Sequence, residues 1–164
     1  MSERDRRNFF KVLAGAGLAA AAGTGVAVWK VADAELLAAK EAAEEAESSG
    51  KGNEDVFCGA AVELKDGTIV TGKNSALMHA ASSLVLNAIK ELAEIPDKIH
   101  LLAPNVIESI ANLKKNIMNR KTVSLNLEET LIALSISATT NPTAQVAMEK
   151  LRELAGCDLL TMVD

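Results

Sequence analysis

The chain has no tyrosine, one tryptophan and three phenylalanines, so aromatic residues make up 2% of its 164 positions. A core or ligand platform of stacked rings is thereby excluded, and any core must be aliphatic. Two cysteines and three prolines exclude a disulfide scaffold and a proline-rich or collagenous chain. Basic charge is short as well. Seventeen Lys and Arg stand against 22 Asp and Glu, a net charge of −5 with a pI near 5.1, which counts against a nucleic-acid partner. What is abundant is aliphatic sequence, 49% hydrophobic residues in sustained periodic runs, which excludes wholesale disorder and suits one domain of ordinary size.

Charge divides the chain into three segments. Residues 1–34 carry five basic against three acidic side chains, residues 35–55 two against seven, and residues 56–164 ten against twelve. Within the first, Val12 to Trp29 holds no charged residue. A run of that length just crosses a bilayer, but it is rich in Ala and Gly with only two Leu, a profile closer to a signal h-region than to a stable anchor. Arg6, Arg7, Phe9, Phe10 and Lys11 precede it and resemble the twin-arginine export signal, with Asp5 where that pattern usually has Ser or Thr. The resemblance implies export across, or tethering to, a bacterial inner membrane, with the export machinery as partner and transient membrane contact through residues 12–29. Without a working leader the chain would be cytoplasmic. Ala32-Asp33-Ala34 offers an A-x-A cleavage site, so that a mature chain would begin at Glu35.

Residues 35–55 are rich in Ala and Glu, then in Ser, Gly and Asn, and the apolar positions after Leu37 are all Ala. This predicts a solvated helical spacer ending in a flexible linker over 48–53. From residue 56 the periodicity changes. Phe57 to Leu64 and Thr68 to Thr71, with Asp66-Gly67 between them, read as a hairpin. Ser75 is placed to cap a helix over 76–93, whose Leu77, Ala81, Leu84, Val85, Ala88, Ile89 and Leu92 share one face. Ile99 to Ala103 is of strand length, and Pro104 starts a helix whose apolar face runs Val106, Ile107, Ile110, Leu113, Ile117. Lys121 to Leu125 reads as another short strand. Asn126 with Glu129 forms a capping-box start, Asn141-Pro142 opens a further helix ending at Gly156, and Cys157 to Val163 is a last strand. Strands alternating with helices predict an α/β fold, a single three-layer sandwich with a small mixed sheet, preceded by an N-terminal hydrophobic helix. A core of this size confers modest stability, so association with a second copy to form a homo-oligomer is expected.

The stretches AAVELKDGTIVTGKNS, HAASSLVLNAIKELAEIPDKIHLLAPNVIESI and LNLEETLIALSISATTNPTAQVAMEKLRELAGC together resemble the C-terminal region of a bacterial family catalogued as domain of unknown function 1846. Members of that family are much longer and carry a phosphate-loop-like stretch upstream. Gly50-Lys51 and Gly72-Lys73 are isolated pairs without such a loop, so the resemblance implies that any nucleotide-linked activity is lost here. The order hairpin, helix, strand, helix is also similar to the cytidine deaminase-like fold. In that fold a His-Ala-Glu and a Pro-Cys-x-x-Cys at successive helix starts hold zinc and the proton shuttle. The corresponding positions hold His79-Ala80-Ala81 and Pro104-Asn105-Val106-Ile107-Glu108, so neither the Glu nor the Cys ligands are present, and no metal site, cofactor or catalytic residue is expected.

The remaining polar residues admit two readings. Lys73, Asn74, Ser75, His79, Ser82 and Ser83 crowd the start of the strongest predicted helix, where free N–H groups would favour an anion such as a nucleotide or sugar phosphate. The plainer reading is a capping cluster with a satisfied histidine. His100 is expected to be structural within a strand, Lys114, Lys115, Arg120 and Lys121 a solvated helix end, and Ser135 to Asn141 cap-and-turn chemistry. Cys58 and Cys157 are expected as buried thiols on strands that are not neighbours. The expectation from sequence is thus an uncharacterised, non-catalytic α/β domain acting by self-association or partner binding, with a small-ligand domain or enzyme fragment centred on His79 as the alternative.

Overall fold

The computed structural model describes the backbone of residues 25–163. The twin-arginine motif and most of the hydrophobic run lie outside the described residues. Helix α1 (Gly25–Ser48) is followed by the hairpin β1 (Cys58–Glu63) and β2 (Ile69–Lys73), then α2 (Ala80–Leu92) and α3 (Pro104–Asn112). Helices α4 (Leu127–Ala138) and α5 (Pro142–Glu149) and strand β3 (Leu159–Val163) complete the order. No described helix is long and apolar enough to cross a membrane.

The three strands form one antiparallel sheet in the order β2-β1-β3. The expected mixed sheet is thereby corrected, because two of its strands do not form. Residues 99–103 and 121–125 are coil that buries Leu101, Leu102 and Leu125, and the second run contributes only a single parallel bridge, Leu125 to Met78. Each run is flanked by helices that cover both ends, so its apolar residues reach the core without a strand partner.

Successive side chains of a strand point to opposite faces, and this decides what each face can accept. Ala60, Val62 and Leu64 pack with Ala80, Leu84 and Ala88 of α2. On the opposite face Gly59 meets α1, where an added Cβ would lie 2.6 Å from Ala43 N, 3.0 Å from Ala42 Cβ and closer still to Ala39 O. Main chain therefore touches main chain, and Ala39, Ala42, Ala43 and Ala46 are all buried. The expected solvated spacer is corrected by this contact: alanine is the residue that lets a helix lie this close to a strand. At Gly72 the same intimacy occurs with α2, where a Cβ would stand 2.6 Å from Ala80 O.

The acidic character of α1 is also used. Glu35 is buried and its carboxylate accepts the Glu63 N–H at 2.7 Å, capping a strand amide beyond the last β1–β3 pair. Burial, only partly offset by that bond, pushes the Glu35 carboxyl above the ordinary range. The expected cleavage position falls inside the helix that presents this side chain.

A second core lies beneath α2, where Leu86 and Ile89 meet Leu101, Leu102, Leu125, Leu134, Ala144 and Ala147. Helix α4 begins with the expected capping box, Asn126 Oδ1 accepting from Glu129 N at 2.8 Å and Glu129 Oε2 from Asn126 N at 2.9 Å. Pro142 starts α5 behind Asn141, which caps Thr143 N and Ala144 N. The α3 face departs from expectation. After Asn112 the helix widens into a π turn over Leu113–Ile117, which holds one residue more than an α turn. Lys114 follows Ile107 and Ile110 at i+7 and i+4 and turns inward with them, while Leu113 and Ile117 stay in solvent, Ile117 at 73%.

Strands β1 and β3 are neighbours, contrary to expectation. Their register pairs Cys58 with Val163 and Val62 with Leu159, so the two cysteines sit at opposite ends of the pair. That is on the order of 15–20 Å of strand, beyond reach of a mutual disulfide.

Candidate functional site

Two helix starts are held side by side. Ser75 does not cap a helix; its Oγ accepts from Leu77 N at 3.2 Å and Met78 N at 3.3 Å in a turn, and α2 begins at Ala80 with His79 at its N-cap. The His79 N–H donates to Leu125 O at 3.0 Å, Leu125 N donates to Leu77 O at 2.8 Å, and the buried Ser82 hydroxyl donates to the same Leu125 carbonyl at 3.1 Å. The next residue, Asn126, caps α4.

Lys114 enters this junction from the π turn. Its side chain is 9% exposed, and Nζ donates to Ser124 O at 2.6 Å and Glu129 Oε2 at 2.7 Å. Burial raises the Glu129 carboxyl, but the Lys114 ammonium and the Asn126 N–H outweigh it and hold it below its ordinary value. His79 stands beside the pair. Its imidazole is held below the usual histidine value first by burial and then by the Lys114 charge, with Glu129 acting against both. Asn53 closes the rim, its Nδ2 donating to Thr122 Oγ1 at 3.1 Å and to Ser124 Oγ at 3.4 Å.

The six residues singled out in the sequence are thus distributed over five settings. Lys73 pairs with Glu45 of α1. Asn74 is buried and extends the hairpin, Oδ1 accepting from Cys58 N at 2.8 Å and Nδ2 donating to Val56 O at 2.7 Å. Ser75 and Ser82 serve the turn and the junction. His79 faces Lys114 and Glu129, while Ser83 lies on a different wall of α2, in a groove of about 210 Å³ shared with His100. The expectation for His100 is corrected: it is exposed coil at a groove mouth, not an interior strand residue.

Lys114, Asn53, Thr122 and Ser124 were not legible as a set. Lys114 sits in a basic run whose other members, Lys115, Arg120 and Lys121, are exposed as expected, and its place at i+4 from Ile110 and i+7 from Ile107 separates it from them. Glu129 was legible as half of a capping box, and its second role as a counter-ion was not. Chemically the junction holds a neutralised ion pair and a histidine kept from its proton. It presents no nucleophile beside a base, and among the described residues no three His, Cys, Asp or Glu are grouped to hold a metal ion.

The molecule is a small α/β domain in which buried polar side chains such as Glu35, Asn74, Ser82 and Lys114 fasten one segment to another. It belongs to the family described as Domain of unknown function DUF1846, C-terminal, whose match spans residues 33–163 and so takes in most of α1. Similar curated proteins are each named UPF0371 protein. That of Clostridium botulinum (strain Alaska E43 / Type E3) is 61% identical over 97 residues, covering 59% of this chain and 19% of the relative. That of Clostridioides difficile (strain 630) is 57% identical over 97 residues, with the same coverage of 59% and 19%. In Clostridium tetani (strain Massachusetts / E88) the figures are 52% over 103 residues, 63% and 20%. The chain spans about a fifth of the length of the curated relatives it matches.

Proposed function

We propose that this domain is a non-catalytic association module that pairs with a second copy of itself through the outer face of α4. The observation that carries the reading is a stripe of large aliphatic side chains left in water. Ile132 is 58% exposed and Ile136 48%, one helical turn apart and with no charged residue between them. Leu113, Ile117 and Met118 are exposed on the turn that Lys114 ties to α4.

A second copy fits this stripe because an uncharged i, i+4 pair is self-complementary. Under a two-fold axis, Ile132 of one copy meets Ile136 of the other and the reverse. The interior also favours association, since eleven of the 21 buried apolar residues described are alanines, which bury little area each. Covering the exposed halves of four isoleucines is worth about 1 kcal/mol each, a sum that only meets the lower end of the cost of association, so the Leu113–Met118 corner must contribute to a stable dimer.

The hairpin followed by α2, with His79 and Pro104 at successive helix starts, keeps part of a cytidine deaminase-like order, without the strand that such an order needs between α2 and α3. The deciding experiment is sedimentation velocity over a wide concentration range on the full chain and on an Ile132→Asp, Ile136→Asp variant. Both positions are exposed, so the variant should keep its circular dichroism spectrum while its dimer fraction disappears. A parent that stays monomeric throughout, or a variant that dimerises as well as the parent, would overturn the proposal.

A further inference from the structure

The groove on the far wall of α2 has an amphipathic lining that the association face does not explain. Ser83, Leu86, Asn87 and Lys90 fall at i, i+3, i+4 and i+7 of that helix and form one wall, with His100 and Leu102 among the residues opposite. Its floor is apolar, Leu86, Leu101 and Leu102 being buried, while the polar groups stand at the mouth. No Asp or Glu lines it.

The polar groups there have hydrogen-bonding capacity to spare. Lys90 Nζ donates to a single backbone carbonyl, Asp97 O at 2.9 Å, and has no carboxylate partner among the described residues. Neither the Ser83 hydroxyl nor the His100 imidazole has a hydrogen-bond partner among the described residues. Four other lysines are paired with carboxylates, Lys40 with Glu44, Lys73 with Glu45, Lys114 with Glu129 and Lys150 with Glu153. Lys90 stands over a hydrophobic floor with its charge unanswered.

We propose that this groove binds a small monocarboxylic acid with an apolar body, the carboxylate accepting from Lys90 and His100 and the aliphatic part lying against Leu86, Leu102 and Ile107 toward Ser83. Charge complementarity selects the head, and the floor selects the tail. A volume of about 210 Å³ admits on the order of seven non-hydrogen atoms at the roughly 30 Å³ that liquid water allots to each molecule. That is the size of a five- or six-carbon acid. A phosphate or sulfate would satisfy the donors but leave the floor wet, and a neutral amide of the same shape would leave the ammonium unmatched.

The test is a titration of the full, isotopically labelled chain followed by amide chemical shifts, with hexanoate, hexanamide and inorganic phosphate as probes. Hexanoate is expected to move Ser83, Asn87, His100 and Leu102 saturably, with hexanamide at least about tenfold weaker, the ratio that one charge-assisted hydrogen bond supplies. Lys90→Met should weaken hexanoate by about fivefold or more with an unchanged thermal melt. His100→Gln supplies a second variant should the first disturb α2. Four results would overturn the assignment: no saturable shifts in the groove, hexanamide binding as well as hexanoate, phosphate binding as well as hexanoate, or both variants binding like the parent.

Discussion

Replacing Gly59 by alanine should separate α1 from the sheet, and the size of the effect can be worked out from the contact. An alanine in a strand interior normally gains about 0.5–1 kcal/mol over glycine through the unfolded chain. Here the added methyl falls 2.6 Å from Ala43 N, against an ordinary contact of 3.4 Å or more, and the obstructing atoms are backbone. No rotamer change relieves that, so α1 must withdraw by about 1 Å. The methyls of Ala39, Ala42, Ala43 and Ala46 contribute about 0.8 kcal/mol each where they are buried, and a gap of that size forfeits a quarter to a half of their contact energy. Overpacking strain adds about 1–3 kcal/mol. The net expectation is a loss of about 2–3 kcal/mol, read by urea denaturation as a midpoint lower by about 1–2 M at an unchanged slope. Adding Ala42→Gly should not restore it, because it removes only the 3.0 Å side-chain contact. Gly50→Ala, where φ is +64° and nothing lies within 4 Å, should cost only about 1 kcal/mol. A Gly59→Ala midpoint indistinguishable from that of the parent would refute the main-chain packing of α1 on β1.

Glu129→Gln should cost more than Lys114→Met, about 2–3 against 1–2 kcal/mol in the same denaturation assay, since the first strands an ammonium that is 9% exposed and the second a carboxylate that is 26% exposed. The reverse order would mean that the junction is wetter than its geometry implies. His79 is held below its ordinary value of 6.5, so the unfolded chain takes up the proton first. Its contribution is therefore intact above about pH 6.5 and is lost as pH falls below it. Glu35, raised from 4.5, slopes the opposite way, and the difference between the parent and His79→Asn in stability-against-pH curves isolates the histidine. A difference that does not change with pH would refute the assignment. Asn126→Ala should lower stability by about 1 kcal/mol through loss of the bond to Glu129 N, measured by thermal melts, and no change would mean that the α4 start is held by tertiary contacts alone.

The hairpin, α2 through α5 and the last strand are legible in the sequence because turn residues and apolar period agree at those places, although α2 starts four residues later than a Ser75 cap would place it. Asn126 with Glu129, and Pro104 and Pro142 at first helical positions, are local signals that the fold leaves unchanged. Residues 35–48 are legible as helix but not as buried helix, because a run of alanines gives no amphipathic signal and its packing depends on Gly59, which is distant in sequence. Runs 99–103 and 121–125 carry strand-like apolar residues whose burial comes from flanking helices. The site was the least legible part. Asn74 and Ser82 stand out in the sequence for polarity and serve backbone groups in the fold, whereas Lys114 reads as surface because it is charged and lies in a basic run, although its spacing from Ile107 and Ile110 puts it on the inward face.

The π turn at Leu113–Ile117 makes the facing of this helix end sensitive to length in a way that residue identity is not. Deleting one residue after Lys114 would close the turn to an ordinary α turn and rotate everything beyond it by about 100°, carrying Ile117 from solvent toward the Ile110 side of the helix. Lys114 precedes that step and would keep its bonds to Ser124 and Glu129, so the apolar corner could be withdrawn while the polar junction behind it stayed in place. An insertion-deletion event, rather than a substitution, is therefore the single mutational step that would remove the sticky corner.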